Sequence, residues 1–331
     1  MLDKEMPFVS VVLPVRNEGG YIARCLDSVL LQDYAPNKLE IFLVDGLSED
    51  GTREIIRQYQ ARRKAIRLID NVRKIVPVAL NLGIDQAKGE YIIRMDAHAI
   101  YPQDYVSKCI EYAIKTGAEN VGGVWETVGE GYVGEAIALA LSSKFGVGNA
   151  KFRTEQFEGC VDTVPFGCFK RSVFDRIGKF NEKLARNQDI EFNSRIRRSG
   201  GKIYLTPEIR SKYYCRNTLA GLFKQNFGNG YWNVIAIVKS PGTLSWRHFV
   251  PFIFILSLLV LAGLSPFIYM AKGLLILDTV SYIVANLLFS TLAALKSGLK
   301  YLFIMPAVYA VLHFSYGAGS LRALISVGRI E

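Results

Sequence analysis

Asp96 and His98 are the residues whose types and spacing first suggest chemistry, and they lie in the stretch Gly89–Pro102. A carboxylate and an imidazole two residues apart, on a chain leaving a strand, can both reach one divalent cation. Such a cation would neutralise a diphosphate group of a substrate. Taken alone, the stretch also fits a simpler interpretation, in which Asp96 caps the next helix and His98 has no role.

A second candidate is Asp189, which follows Gln188 at the start of a predicted helix. The N-terminus of a helix favours the ionised form of a carboxylate, and a carboxylate can take the proton from an attacking hydroxyl group. The alternative is that Asp189 only caps this helix. The arginines that follow are more typical of a solvated helix face than of phosphate ligands; they are Arg195, Arg197 and Arg198.

Apolar runs rich in β-branched residues predict the strands that would position these side chains. The runs are Phe8–Val15, Leu39–Val44, Ile66–Ile69 and Tyr91–Met95. A segment with helical periodicity follows each of the first three runs, and the segment after the third run is Val76–Ala87. Pro102 favours a helix over Pro102–Thr116. Four βα units in a row predict an α/β fold with a mostly parallel sheet, whose ligands bind beyond the carboxyl ends of the strands.

The loops after the first two strands are polar. Arg16–Gly20 follows the first strand, and the acidic, glycine-rich Asp45–Thr52 follows the second and suits a nucleobase or ribose. No Gly-x-Gly-x-x-Gly follows the first strand, which argues against a dinucleotide site.

The next part of the chain alternates less regularly. We predict a strand over Asn120–Val128, a helix over Glu135–Phe145, a strand over Val164–Lys170 and a last strand over Lys202–Thr206, before Pro207. Gly146–Asp162 has no clear periodicity. Because structureless loops of this length inside a domain are usually functional or disordered, we interpret it as a mobile flap over the site.

The C-terminal part is apolar and predicts a membrane region. Phe249–Ala271, Gly273–Leu295 and Tyr301–Leu321 each approach the roughly 20 residues that cross a bilayer. Lys296 and Lys300 would then face the cytosol. The aromatic, mildly basic Thr218–Lys239 before them predicts a helix in the membrane interface, or else an ordinary packing helix.

The net charge limits the classes of partner that the protein can bind, and the cysteines indicate the state of its thiols. The net charge is +10, which suits nucleic acid, an anionic membrane or anionic substrates. No RNA-binding signature and no basic run longer than Arg62–Lys64 occurs, so we expect membrane and phosphates and no nucleic acid. The five cysteines are odd in number and match no zinc pattern, which indicates reduced thiols. Met1–Pro7 lacks the apolar core of a signal peptide, so we expect the catalytic part to be cytosolic.

Short motifs follow one another in a specific order. They are Pro14-Val15-Arg16-Asn17-Glu18, Val44-Asp45-Gly46-Leu47-Ser48, Asp50-Gly51-Thr52, Ala79-Leu80-Asn81, Ala87–Tyr91, Asp96-Ala97-His98 and Gln188-Asp189. In this order and spacing they resemble the glycosyltransferase family 2 enzymes of GT-A fold, from Phe8 to about Tyr214. Membrane-anchored enzymes of succinoglycan-type exopolysaccharide assembly are the most similar in Asp-Ala-His and in the apolar tail.

The resemblance implies a nucleotide-diphospho-sugar donor and inversion at the anomeric carbon. It implies that Glu18 and Asp45 bind the ribose and base, and Pro14, Arg16, Asn71 and Asp96 complete the predicted nucleotide site. Asp96 and His98 would take the place of the Asp-x-Asp metal motif and bind Mn²⁺ or Mg²⁺; a histidine in place of an aspartate favours Mn²⁺. Asp189 would be the general base, after Gln188 where many relatives have Glu.

The predicted organisation is a GT-A domain over residues 1–216, an interface segment over 217–248 and a membrane region with about three transmembrane helices over 249–331. The predicted function is inverting transfer of a sugar to a polyprenyl-phosphate or polyprenyl-diphosphate-sugar acceptor, at the cytosolic face of the inner or plasma membrane. A processive synthase is disfavoured because Gln225 and Trp232 do not form Gln-x-x-Arg-Trp. The alternative is a non-catalytic sugar-nucleotide sensor or scaffold.

Overall fold

The computed structural model describes residues 6–154 and 156–327, and these divide into two compact units. The first unit contains the residues up to Glu126 together with Glu155–Tyr213, and the second contains Thr127–Thr154 with the residues from Tyr214. Residues 127–154 therefore group with the C-terminal helices, because the small apolar face of their helix is buried there. The functional boundaries predicted near residues 216 and 248 stay a prediction.

Nine strands and thirteen α-helices lie in the described residues. The strands are β1 Val9–Val15, β2 Leu39–Asp45, β3 Ile66–Asp70, β4 Tyr91–Arg94, β5 Ala99–Ile100, β6 Asn120–Val128, β7 Gly159–Cys160, β8 Cys168–Lys170 and β9 Ile203–Tyr214. The helices are α1 Ile22–Leu30, α2 Thr52–Arg62, α3 Val76–Gln86, α4 Tyr105–Thr116, α5 Gly131–Leu141, α6 Lys144–Val147, α7 Lys151–Thr154, α8 Arg171–Ile177, α9 Gln188–Arg198, α10 Leu219–Lys239, α11 Val250–Leu264, α12 Tyr269–Ser297 and α13 Met305–Val327.

One half of the sheet is parallel, with the strand order β3-β2-β1-β4. The register pairs Val15 with Asp45 and Asp45 with Asp70, so three strands end at one level of the same edge. Helix α3 packs closely on this half, where a Cβ on Gly83 would lie 2.5 Å from the Val12 side chain. Apolar strands covered by helices make this the core of the first unit.

The other half of the sheet is antiparallel, which makes the sheet mixed rather than mostly parallel. β8 pairs antiparallel with β4 and β6, and β9 pairs antiparallel with β5 and β7. β9 runs through Pro207 instead of ending before it, since that residue lies between the stretch paired with β7 and the stretch paired with β5. The short β5 was not predicted, and β8 is shorter than the predicted 164–170 segment.

Two further predictions differ locally from the structure. Helix α4 begins at Tyr105 rather than Pro102, because β5 and the turn after it occupy the preceding residues. The segment 146–162, expected to be structureless, contains the end of α6, all of α7 and strand β7.

In the second unit, α10 and α13 pack tightly along each other. A Cβ on Gly230 would lie 2.0 Å from the Tyr316 carbonyl oxygen, and one on Gly319 would lie 2.0 Å from that of Phe227. Small residues at such crossings allow two helix backbones to approach closely. The face of α10 toward α13 therefore packs as the ordinary packing helix of the second sequence interpretation would. Phe223 and Val238 stay exposed on α10.

Two helical segments among the described residues are long and apolar enough to cross a membrane, judged by length and composition: Trp246–Leu264 and Tyr269–Ser297. Their apolar side chains are largely exposed, as for Leu259 at 57% and Leu277 at 62%. The third predicted span does not meet this criterion among the described residues. It lies in α13, whose Tyr309 and Leu312 are buried and which packs against α10 and α11.

Candidate functional site

Four hydrogen bonds join the loop after β1 to the loop after β2. The backbone N–H groups of Asn17, Glu18 and Gly19 donate to the side chains of Ser48, Thr52 and Asp50, at 2.8, 2.8 and 2.9 Å. The Glu49 N–H donates to the Asn17 side chain at 3.0 Å. These bonds fix the direction in which Glu18 leaves the sheet.

Asp45, at the end of β2, is fully buried and already has its partners. Its carboxylate accepts hydrogen bonds from the Ser48 N–H at 3.0 Å and from the Arg53 guanidinium at 2.7 Å. Arg53 also binds Asp70, at 2.7 Å, at the end of β3. The hydrogen bond to Asp70 and then the contact with Asp45 raise the pKa of the Arg53 guanidinium, although burial opposes this. Asp45 therefore orders the loop between β2 and α2.

Other residues of the predicted nucleotide site lie around the same strand ends. Pro14 is half-buried in β1, and Arg16 is exposed, with its aliphatic stem over Gly46, where a Cβ would lie 3.1 Å from Arg16 Cδ. Asn71 follows β3 and is 2% exposed. Its amide nitrogen donates to the Ile75 carbonyl, and its side-chain oxygen has no hydrogen-bond partner. Buried oxygens without a partner are rare and call for an explanation.

Asp96, Ala97 and His98 lie between β4 and β5; the sequence predicted that they follow the first of these strands and did not predict the second. The His98 Nδ1 lies 3.1 Å from the Glu18 carboxylate, so the ends of β1 and β4 are joined through these side chains. The imidazole also contacts the Tyr213 ring edge-on, at 5.4 Å between centroids. The Asp96 N–H donates to the Tyr101 hydroxyl at 2.7 Å, and this bond stabilises the turn.

Arg94 connects the two carboxylates predicted to do chemistry. Its Nε and Nη2 lie 3.1 and 3.3 Å from the two oxygens of Asp96, and its Nη1 lies 3.6 Å from Asp189. Burial alone would lower the pKa of this guanidinium, but the charges of Asp96 and Asp189 outweigh it and raise the pKa. Asp96 and Asp189, 93 positions apart in the chain (189 − 96), thus meet at one cation.

Asp189 lies in the first turn of α9, as expected, and its side chain is 34% exposed. Asn187 precedes the helix in the left-handed conformation, with φ 59°, which asparagine tolerates better than most residues. This backbone turn directs the start of α9 toward the end of β4.

The donor set for a metal consists of few protein ligands. Among residues 6–154 and 156–327, no group of three or more His, Cys, Asp or Glu side chains is placed to hold a metal ion. Both Asp96 oxygens bind Arg94, yet each carboxylate oxygen has a second lone pair. A carboxylate and an imidazole fit Mn²⁺ or Mg²⁺ when substrate phosphates supply the remaining ligands.

Sequence reasoning missed Arg53 and Arg94, although each carried a signal. Arg53 lies in the first turn of α2, where a cation is unfavourable beside the helix dipole and therefore indicates a specific partner. Arg94 ends an apolar strand two residues before Asp96, and strand periodicity places such residues on the same face.

The chain is similar in sequence to known proteins of one family. The family model described as glycosyl transferase family 2 matches residues 10–178. The succinoglycan biosynthesis protein ExoA of Rhizobium meliloti is 31% identical over 243 residues, covering 73% of each chain. A dolichyl N-acetyl-alpha-D-glucosaminyl phosphate 3-beta-D-2,3-diacetamido-2,3-dideoxy-beta-D-glucuronosyltransferase of Methanococcus voltae is 28% identical over 288 residues, 84% of this chain and 88% of its own.

Solved structures share the fold over almost the whole chain. The mannosyltransferase PcManGT of Pyrobaculum calidifontis, in complex with GDP-Man and Mn²⁺, superposes with a TM-score of 0.65 at 20% identity and covers 97% of this chain and 88% of its own. S. aureus TarS residues 1–349 in complex with UDP-GlcNAc gives 0.51 at 15% identity, with coverage of 95% and 91%. The GT-A fold predicted from the sequence is confirmed, with C-terminal helices added to it.

Proposed function

The chain belongs to glycosyl transferase family 2 and is a glycosyltransferase of polysaccharide or glycan biosynthesis, and we propose that it transfers a sugar, with inversion, from a nucleotide-diphospho-sugar to a lipid-linked acceptor. The observation that carries the proposal is the meeting of Asp96 and Asp189 at Arg94. It brings a candidate ligand of the metal ion and a candidate general base to one edge of the sheet.

The donor would bind at the ends of β1 to β4, against Pro14, Arg16, Glu18, Asp45, Asn71 and Asp96. Arg16 supports this, because it is an exposed cation beside these ends and suits a diphosphate. The buried Asn71 side-chain oxygen has no hydrogen-bond partner, which supports a role for this residue in the site. Asp45 would act by holding the 46–52 loop, since its carboxylate is already bonded. The neighbours solved with GDP-Man and UDP-GlcNAc support a nucleotide sugar.

Asp96 and His98 would hold the divalent ion, Mn²⁺ or Mg²⁺, together with the donor phosphates. The ion would supply charge neutralisation for the departing diphosphate. The Mn²⁺ in the mannosyltransferase complex supports a divalent metal here. Glu18 would hold the His98 ring through Nδ1, as a carboxylate often does for a ligating histidine.

Asp189 would act as the general base. The acceptor hydroxyl attacks the anomeric carbon from the face opposite the diphosphate, the bond from that carbon to the diphosphate oxygen breaks, and Asp189 takes the hydroxyl proton. The partial exposure of its carboxylate supports access for an acceptor.

The acceptor would be a polyprenyl-phosphate or polyprenyl-diphosphate-sugar in the inner or plasma membrane, with the catalytic unit cytosolic and the chain crossing the membrane more than once. The exposed apolar faces of α11 and α12 support membrane insertion. The archaeal relative named for a dolichyl-linked acceptor supports a polyprenyl lipid.

A screen of the purified protein against nucleotide sugars tests the proposal. Nucleoside diphosphate release is measured with Mn²⁺, with and without detergent-solubilised polyprenyl-phosphate or polyprenyl-diphosphate-sugar, and with Asp189→Asn as the control. Release that requires the lipid and is lost in the variant would support the transferase. Binding of a nucleotide sugar with no release for any acceptor would favour the sensor or scaffold alternative and overturn the proposal.

A further inference from the structure

The Arg94 side chain is a nearly buried cation whose side-chain hydrogen bonds and ion pairs are all with candidate site residues. It is 12% exposed, and its side-chain partners are the Asp96 and Asp189 carboxylates, which are 18% and 34% exposed. A charge this deep is retained in a protein only when it is paired. The pairing here uses the two carboxylates that the proposed chemistry needs.

Arg195 offers a contrast within the same unit. It binds the buried Glu191 at 2.8 and 3.0 Å and two backbone carbonyl oxygens, those of Ile177 and Lys179, both at 2.6 Å. Arg195 thus links α9 to the end of α8 and to the residues that follow it. Arg94 has no such carbonyl partner among the described residues, and its guanidinium instead joins two partly exposed carboxylates.

The backbone fixes Arg94 before it makes these contacts. Its N–H donates to the Gly167 carbonyl at 3.0 Å, at the junction of β4 with the segment before β8. Arg94 and Asp96 lie two residues apart and meet through two nitrogens and two oxygens, a fork geometry that only arginine provides. The third nitrogen reaches Asp189 on a different element.

We propose that Arg94 is a positioning residue that holds Asp96 and Asp189 at a fixed separation, so that the base faces the sugar carbon whose leaving group Asp96 helps to bind. This rests on the proposed function. Arg94 touches neither donor nor acceptor in this role, and its effect passes through the two carboxylates. A lysine keeps the charge but cannot bind both carboxylates in this geometry.

The test compares Arg94→Lys with the matched control Arg195→Lys. Arg94→Lys should lower kcat by roughly 10- to 100-fold, since misplacing a catalytic group by about 1 Å can cost ~10²-fold, with donor KM within about threefold and the melting temperature nearly unchanged. Arg195→Lys should lower the melting temperature and leave kcat per folded molecule unchanged. Added guanidinium should partly rescue Arg94→Ala and not Asp189→Asn.

A second measurement does not depend on turnover. In urea unfolding, Arg94→Met and Asp189→Asn should be coupled, so that the double variant departs from the product of the single effects by at least about threefold in the unfolding equilibrium constant. Additive effects would overturn the contact. With coupling present, a kcat of Arg94→Lys within about threefold of the parent, or a loss confined to KM, would overturn the positioning role. Absence of turnover in the parent protein would overturn the proposed function while the coupling still reports on Arg94.

Discussion

Two regions of the first unit are built alike, each with one arginine between two aspartates, and they differ in exposure. The Arg53 region contains Asp45, which is fully buried, and Asp70. The Arg94 region contains Asp96 and Asp189, both partly exposed. In the Arg53 region, the hydrogen-bonding capacity of the buried Asp45 carboxylate is largely used by the loop that it orders, while Asp70 is 56% exposed. The Arg94 region keeps lone pairs accessible, as binding and proton transfer require.

The difference shows how one kind of ion pair serves two purposes. A buried pair fixes a backbone conformation, and breaking it leaves an uncompensated charge in the interior. The Arg94 pairs, whose carboxylates are 18% and 34% exposed, should contribute less to stability than the pair made by the fully buried Asp45, yet they set where those carboxylates lie. We therefore expect substitutions in the Arg53 region to appear mainly in stability and substitutions in the Arg94 region mainly in turnover.

Metal removal should have the largest effect and should act through the Arg94 region. Excess chelator is expected to abolish sugar transfer, and Mn²⁺ to restore it best, because Asp96 and His98 together with donor phosphates complete the ligand set. His98→Ala should raise the half-saturating Mn²⁺ concentration, while Asp70→Ala in the Arg53 region should not. Full transfer in excess chelator would contradict the metal assignment.

Asp189→Asn should have the next largest effect. We expect kcat to fall by about 10²–10⁴-fold, the usual contribution of a general base, with the donor dissociation constant within about threefold of the parent. Single-turnover transfer and calorimetric donor binding separate the two quantities. If the variant keeps more than about a tenth of the rate, the base lies elsewhere.

Arg53→Met should reduce the free energy of unfolding by about 3 kcal/mol, because it strips a fully buried carboxylate of its countercharge. Arg94→Met should cost about 1 kcal/mol, because water can reach Asp96 and Asp189. Urea titration of both variants measures the contrast. Equal destabilisation would mean that exposure does not separate the two regions.

Asp50 gives the smallest predicted effect and one that depends on pH. Its slight burial would raise its pKa, but hydrogen bonds from Thr52 and the Gly19 N–H hold the pKa below its usual range. A depressed folded-state pKa stabilises the protein above the unfolded value and loses this contribution as the pH falls through the folded value. Asp50→Asn should therefore cost about 1 kcal/mol at pH 7, allowing for exposure.

The difference in unfolding free energy between parent and Asp50→Asn should shrink as the pH is lowered below about 4. Asp85→Asn, an exposed aspartate outside this loop paired with Lys179, serves as the matched control for acid titration in general. A parent-to-variant difference that stays constant down to acid pH would show that the Asp50 charge does not hold the loop.

Local pattern determined the parallel half of the sheet. The predicted limits of β1 to β4 and of α3 agree with the structure within one residue, because apolar strands and helical periodicity are encoded over a few neighbouring residues. The same pattern placed Asp45, Asp96 and Asp189 at element ends. In the antiparallel half it predicted β6 with its observed limits. It missed β5 and misjudged the lengths of β8 and β9, because these strands are short or contain a proline and exist through pairing with strands distant in sequence.

Tertiary structure alone decided which charges meet and which apolar helices are covered. Arg53 with Asp45 and Asp70, and Arg94 with Asp96 and Asp189, are contacts between separate elements. Likewise α12 and α13 are both apolar in sequence, yet α13 is packed against α10 while α12 exposes its apolar side chains. Sequence fixes what each element can bury or pair, and only the folded chain determines the partner, because that choice depends on residues far apart along it.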